Sequence, residues 1–218
     1  MSNELIKRIF TSLFLLPILF YITFLSGFYL IIFLFIIYCF SFYEIIKNTK
    51  NLIFILSSNI LLIFAFYSFY YLRGDSNYTL TVFTWILAST FLSDIGGYVF
   101  GKTFKGKKLT KISPNKTYSG LCGSLIFCCF SLPLLNLLQF FFFNKLLVNF
   151  LELNYLCITI LLSITCQLGD LYVSFWKRKI KIKNISNILP GHGGILDRID
   201  GLIFVLIFSL ILNKIGFI

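Results

Sequence analysis

The sequence predicts an all-α, polytopic integral membrane protein of about seven transmembrane helices, with its N-terminus in the cytoplasm. Three observations carry that expectation. Of 218 residues, 58% are hydrophobic and only 12% charged, with 28 Phe, whereas soluble domains run near half apolar and about a quarter charged. Uncharged runs long enough to cross a bilayer, about 20 residues for a helix, recur along the chain. The Lys and Arg between those runs gather in alternate loops, which puts them on one side of the membrane. A β-barrel would show short segments of alternating polarity instead, and the sequence has none.

The elements follow in order. Lys7-Arg8 precede an apolar stretch, as in a secretory signal, yet no small-residue cleavage site follows and the run continues into a second span, so it reads as a retained helix. Ile9–Tyr43 is uncharged over 35 residues, too long for one crossing, and Ser26-Gly27 is the natural turn that makes it two helices. Leu52–Leu72, Thr79–Phe100, Gly120–Phe143, Tyr155–Ser174 and Gly201–Leu212 complete seven spans, the last extending toward Ile218. Residues 1–75 carry little chemistry and read as scaffold. Residues 76–218 read as the catalytic membrane region, one integrated domain with loops 101–119 and 175–200.

Orientation follows from the positive-inside rule. With the N-terminus inside, 16 of the 19 Lys and Arg fall in segments 1–8, 44–51, 101–119 and 175–200, leaving Arg73, Lys145 and Lys214 outside with the C-terminus. The net charge of +11 therefore lies mostly on one face, suited to anionic lipid head groups or to anionic substrates. Nucleic acid is not an expected partner, because the bases are split among loops beside a membrane. The six cysteines lie in apolar runs without a C-x-x-C pair, which argues against a zinc site or disulfide framework.

Acids inside spans are costly and mark function. Asp94 in "SDIGGYVFGK", Asp170 in "QLGDLYVS", and Asp197 and Asp200 at the start of the seventh span all fall at one depth near the cytoplasmic surface. Glu4, Glu44, Asp75 and Glu152 lie in flanks or loops and call for no special account. Asp197 and Asp200, three apart, share a helix face and could simply favour the helix N-terminus. Carboxylates beside lysines also suit Mg²⁺ and substrate phosphates, which points to metal-assisted phosphoryl or nucleotidyl transfer. Asp94, Asp170, Asp197 and Asp200 are the carboxylates that could hold such an ion. Gly191, Gly193 and Gly194 can bring backbone N–H groups to a phosphate, although "GHGG" alone could be a mere turn. His192 is ambiguous between a surface group and a catalyst. In "SPNKT" (113–117), Ser113 and Lys116 form a candidate phosphate clamp within what could equally be a solvated basic loop.

The stretch "SFWKRKIKIKNISNILPGHGGILDRID" (174–200) resembles the signature of phosphatidate cytidylyltransferases, also called CDP-diacylglycerol synthases. Ser174, Lys177, Arg178, Lys183, Ser186, Pro190, Gly191, His192, Gly193, Gly194, Asp197, Arg198 and Asp200 all fit it. "SDIGGYVFGKTF" followed by "LTKISPNKT" (93–117) and "LGDL" (168–171) look like two further family blocks, so the resemblance covers roughly residues 90–205. Three positions depart: Asn184 stands where the signature has Asp, while Ser119 and Val173 stand where many members have Glu. They are expected to be peripheral, since Asp170, Asp197 and Asp200 remain.

The resemblance implies CTP and phosphatidate as substrates, CDP-diacylglycerol and pyrophosphate as products, and Mg²⁺ as cofactor, held by Asp170, Asp197 and Asp200, with a second metal ion as an alternative. It implies catalytic roles for Asp170, Asp197, Asp200, His192, Lys177 and Arg178, and substrate contacts from Asp94, Ser113, Lys116, Lys183, Gly191, Gly193, Gly194 and Arg198. The short single-domain length resembles bacterial members, so the expected location is a bacterial cytoplasmic membrane, with the active site expected to face the cytoplasm; a homodimer is a further expectation. The competing readings are a CTP-dependent polyprenol or phytol kinase, a non-catalytic relative, and a transporter. Acids in a transporter path usually lie near the bilayer midplane, whereas these sit beside basic loops.

Overall fold

A computed structural model describes residues 17–110, 113, 116–182, 185–186 and 193–218. Every named element is a helix: the described part of α1 at 17–25, then α2 Gly27–Asn48, α3 Leu52–Arg73, α4 Asn77–Thr103, α5 Tyr118–Cys129, α6 Ser131–Phe143, α7 Leu153–Lys179 and α8 Leu196–Lys214. Among the described residues there is no strand, and Lys108 and Thr117 form an isolated bridge. Ser26 and Gly27 break α1 from α2 with φ of 53° and 56°, at the turn the sequence indicates.

Five helical segments are long and apolar enough to cross a membrane: α2, α3, α4, the α5–α6 pair over Tyr118–Phe143, and α7. The expected single span at 120–143 is two helices broken at Phe130. Pro133 is the physical reason, for it lacks an N–H and its ring crowds the carbonyl four residues earlier. In α8 Asp197 and Arg198 occupy the first turn and Asp200 follows it, and α8 is not among the five.

α4 is the central helix. Phe83, Trp85, Ile86 and Leu87 are fully buried, and α4 packs against α3, α5, α6, α7 and α8. Its contacts with α7 and α6 use small polar groups: Ser93 meets Ser163 at 2.7 Å, Ser89 meets Ser131 at 2.9 Å, and the Trp85 indole N–H donates to Thr159 at 3.1 Å. Such bonds hold helices together where lipid offers no hydrophobic drive. α2 and α3 turn large apolar side chains outward, Phe28 and Ile53 being 72% and 79% exposed, as a lipid-facing surface requires. Three of the six cysteines, Cys39, Cys122 and Cys157, are also exposed, while Cys128 and Cys166 are buried.

Glycines bring α4 and α5 into backbone contact. A Cβ on Gly96 would lie 2.4 Å from the Gly123 carbonyl oxygen, and one on Gly120 would lie 2.8 Å from that of Gly97. No larger residue fits this crossing. It matters for the site, because Asp94 lies on α4 two residues before Gly96.

Candidate active site

Where the C-terminal parts of α4 and α7 meet the N-terminal ends of α5 and α8, they enclose a cavity of about 490 Å³. From α4 come Asp94, Gly97 and Tyr98, and from the following loop Ser113, Lys116 and Thr117. Gly120 and Leu121 of α5, Gln167, Asp170 and Ser174 of α7, and Asp197, Arg198 and Asp200 of α8 complete the lining. Seven of the residues singled out from the sequence thus share one cavity, although they come from four separate parts of the chain: Asp94, Ser113, Lys116, Asp170, Asp197, Arg198 and Asp200.

Local structure explains how each arrives there. The loop after α4 folds back on itself: the Leu109 N–H donates to the Lys116 carbonyl at 2.8 Å and the Tyr118 N–H to the Lys107 carbonyl at 3.1 Å. Gly106, at φ 108°, permits that reversal. Thr117 then caps α5 by accepting from the Gly120 N–H at 3.1 Å. Lys116 is left reaching into the cavity, where its ammonium lies 2.9 Å from Asp170 Oδ2 and 3.4 Å from both the Gln167 carbonyl and Oε1.

α7 and α8 approach through Gly169 and Gly201. A Cβ on Gly201 would stand 2.7 Å from Asp170 Oδ1 and 2.6 Å from Cys166 Sγ; one on Gly169 would stand 3.0 Å from the Asp200 carbonyl oxygen. Asp170 and Asp200 therefore sit against each other across the helix crossing. Ligand atoms of Asp94, Cys166 and Asp170 all lie within 4.8 Å of one another, a group able to hold a metal ion. Its two carboxylates suit a hard divalent cation, which takes few protein ligands and completes its shell with water and phosphate. The Cys166 thiol is soft, buried, and donates to Asp94 Oδ1 at 3.4 Å, so it supports Asp94 rather than serving such an ion.

Asp197 stands apart from that group. Its Oδ1 accepts from Lys177 at 2.8 Å and its Oδ2 from the N–H groups of Ile185 and Gly194, each at 3.0 Å. The sequence pairs Asp197 with Asp170 as metal ligands and treats Asp94 as a substrate contact, whereas the geometry sets Asp94 beside Asp170 and gives Asp197 a strong local tie. Lys177 stands behind Asp197 rather than on the cavity wall. Arg178 is exposed and donates to the Ile182 carbonyl at 3.5 Å. Gly193 has φ of 87°, and the Gly194 amide is directed at Asp197. Lys183, Gly191 and His192 lie outside the described residues.

The departures from the family signature have their own places. Ser119 donates to the Lys105 carbonyl and lies 2.9 Å from Thr117 Oγ1, steadying the loop. Val173 is buried in an apolar cluster with Trp176 and Ile185. Neither lines the cavity, and Asn184 lies outside the described residues.

Sequence reasoning missed Gln167, Tyr98 and the lining glycines 97 and 120. A signal for two of them exists: Gln167, Asp170 and Ser174 recur at one helical turn each, as do Asp94 and Tyr98, so each set forms a polar stripe on an apolar helix. Glu44 was missed entirely. Instead of a flank residue it is a fully buried carboxylate, which accepts from Ser186 Oγ, and from the Ile195 and Leu196 N–H groups at 2.9 Å each. Its partners lie some 150 residues away in sequence, so no local pattern announces them.

Residues 48–215 match the model of the cytidylyltransferase family. Similar curated proteins are bacterial. The phosphatidate cytidylyltransferase of Staphylococcus haemolyticus is 44% identical over 144 residues, covering 65% of this chain and 51% of that one. That of Bacillus subtilis is 36% identical over 168 residues, covering 75% and 60% respectively. That of Staphylococcus saprophyticus is 47% identical over 117 residues, covering 53% and 42%. The chain spans about half the length of the curated relatives it matches.

Proposed function

The chain belongs to the cytidylyltransferase family, and from that premise we propose that it transfers the cytidylyl group of CTP to phosphatidate, giving CDP-diacylglycerol and pyrophosphate. The observation that carries this reading is a polar cavity at one end of an apolar bundle, in which Asp94, Asp170 and Asp200 face Lys116 and Arg198. One substrate is dissolved and the other is anchored in a leaflet, so their reacting atoms can meet only at headgroup depth. Acids and bases gathered at one end of membrane helices suit that meeting place.

In this reading a phosphate oxygen of phosphatidate attacks the α-phosphorus of CTP in line. A new P–O bond forms as the bond from the α-phosphorus to the oxygen bridging the β-phosphorus breaks, and that oxygen departs with pyrophosphate. The step needs no protein nucleophile; positioning and charge neutralisation carry it. Lys116 and Arg198 hold phosphate oxygens. Asp94 and Asp170, with Asp200 beside them, would hold Mg²⁺, which would supply charge neutralisation for the phosphate oxygens. Tyr98 and Leu121, the apolar part of the lining, face the glycerol backbone of the lipid. Lys177 and Asp197 steady the turn into α8.

We further propose the membrane topology that suits this reading. α1 to α8, with α5 and α6 as one crossing, make seven spans with the N-terminus inside. The cavity and the basic loops then face the cytoplasm of a bacterial cell.

The test is direct. Purified protein with phosphatidate, CTP labelled in its cytosine base and Mg²⁺ is scored for lipid-soluble label and pyrophosphate. The expected result is both products in equal amounts. Phosphorylation of an added polyprenol with release of CDP would show the lipid-kinase reaction instead. No CDP-lipid under any divalent cation would overturn the proposal.

A further inference from the structure

The N-terminus of α8 carries Asp197, Arg198 and Asp200 into the cavity, yet its own N-cap residue, Ile195, provides no capping side chain. The first N–H groups of such a helix need acceptors. Here the Ile195 and Leu196 N–H groups donate to Glu44 Oε1 and Oε2, at 2.9 Å each, while the Gly194 N–H is taken by Asp197. Glu44 Oε1 also accepts from Ser186 Oγ. One turn further along α2, Asn48 Nδ2 donates to the Ile185 carbonyl at 2.8 Å. The end of α2 thereby grips the chain on both sides of residues 187–192.

Both oxygens of the Glu44 carboxylate meet donors, Oε1 the Ser186 hydroxyl and the Ile195 N–H, Oε2 the Leu196 N–H. A carboxylate there complements the positive end of α8. Gly194 completes the fit: a Cβ there would stand 2.8 Å from both Glu44 oxygens. A glycine that the sequence assigns to substrate phosphate thus leaves room for a protein carboxylate, and that carboxylate already occupies the anion-binding end of the helix. Glu44 precedes the residues matched by the family model, 48–215.

From these contacts we infer that Glu44 is a positioning residue for the reaction proposed above: it fixes the first turn of α8 and so sets Asp197, Arg198 and Asp200 at the cavity. It does not touch substrate. This role rests on the cytidylyl-transfer reading only for its kinetic consequence.

Glu44→Gln keeps the shape and replaces one acceptor oxygen by a donor. Hydrogen exchange of the full-length protein in detergent should show the amides of Ile195 and Leu196 exchanging about tenfold faster or more, with α4 unchanged. In the same preparation kcat should fall by about tenfold or more, because a displacement near 1 Å can cost about a hundredfold, while KM for CTP stays within about threefold. Gly194→Ala attacks the same contact from the other side and should reproduce both effects; the double variant should be no worse than either single one. Wild-type exchange at Ile195 and Leu196 in Glu44→Gln would overturn the inference, as would wild-type kcat despite faster exchange. A wild-type protein inert in cytidylyl transfer, whose α8 amides still loosen in Glu44→Gln, would overturn the proposed reaction and leave the tie standing.

Discussion

Gly201→Ala separates local propensity from tertiary packing. Gly201 lies within α8, and replacing a helical glycine by alanine on an open face stabilises by about 1 kcal/mol. Here the added Cβ would stand 2.6 Å from Cys166 Sγ, 2.7 Å from Asp170 Oδ1 and 3.1 Å from the Cys166 carbonyl oxygen. With ordinary contact beginning at about 3.5 Å, the sulfur and the carboxylate must recede by about 0.9 and 0.8 Å. The backbone carbonyl cannot rotate away, so the helices themselves must part. Overpacking of this kind costs about 1 to 3 kcal/mol, which cancels or exceeds the propensity gain. Asp170 is the very group displaced, so turnover should fall by about tenfold to a hundredfold, far more than the loss of stability conveys. Thermal unfolding in detergent and the initial rate of CDP-lipid formation measure the two effects separately. A variant more stable than wild type, with kcat within about threefold, would refute the packing argument and the place of Asp170 in the reaction.

Other perturbations discriminate between parts of the scheme. Lys116→Met removes the ammonium 2.9 Å from Asp170 and should raise KM for CTP about tenfold or more, the loss expected for a charged hydrogen bond; an unchanged KM would remove Lys116 from phosphate binding. Chelation of divalent cations should abolish turnover and Mg²⁺ should restore it, so turnover in metal-free buffer would contradict the role given to Asp94 and Asp170. Arg73, buried and donating to the Thr23, Phe24 and Gly74 carbonyls, closes the α1–α3 corner. Arg73→Ala should cost about 1 to 3 kcal/mol in thermal unfolding while leaving KM for CTP within about threefold, and a large KM change would show that this corner communicates with the cavity.

The sequence already contained the helices and about half of the residues that line the cavity, for identifiable reasons. Lipid allows backbone polar groups no partner but one another, so a run such as Leu52–Leu72 has little choice but to become α3. Charges in such runs are costly, so Asp94 and Asp170 stood out without any coordinates. Pro133 in an apolar run was visible as well, and its break at Phe130 could have been anticipated from the missing N–H.

What the tertiary structure alone decided is which of these groups meet. Asp94 and Asp170 share a site because α4 packs on α7, Ser93 against Ser163 and Asp94 against Cys166, while the Gly96–Gly123 and Gly169–Gly201 crossings bring α5 and α8 up to them. Asp197 looked like Asp170 in sequence, yet Lys177 and two backbone amides surround it. Glu44 looked like a flank residue and became the cap of a helix that begins at Leu196. Hydropathy and helical period act within a dozen residues, so they specify which segments cross the membrane. A carboxylate's role depends on donors brought to it from distant segments, and only the packing of the whole bundle supplies those.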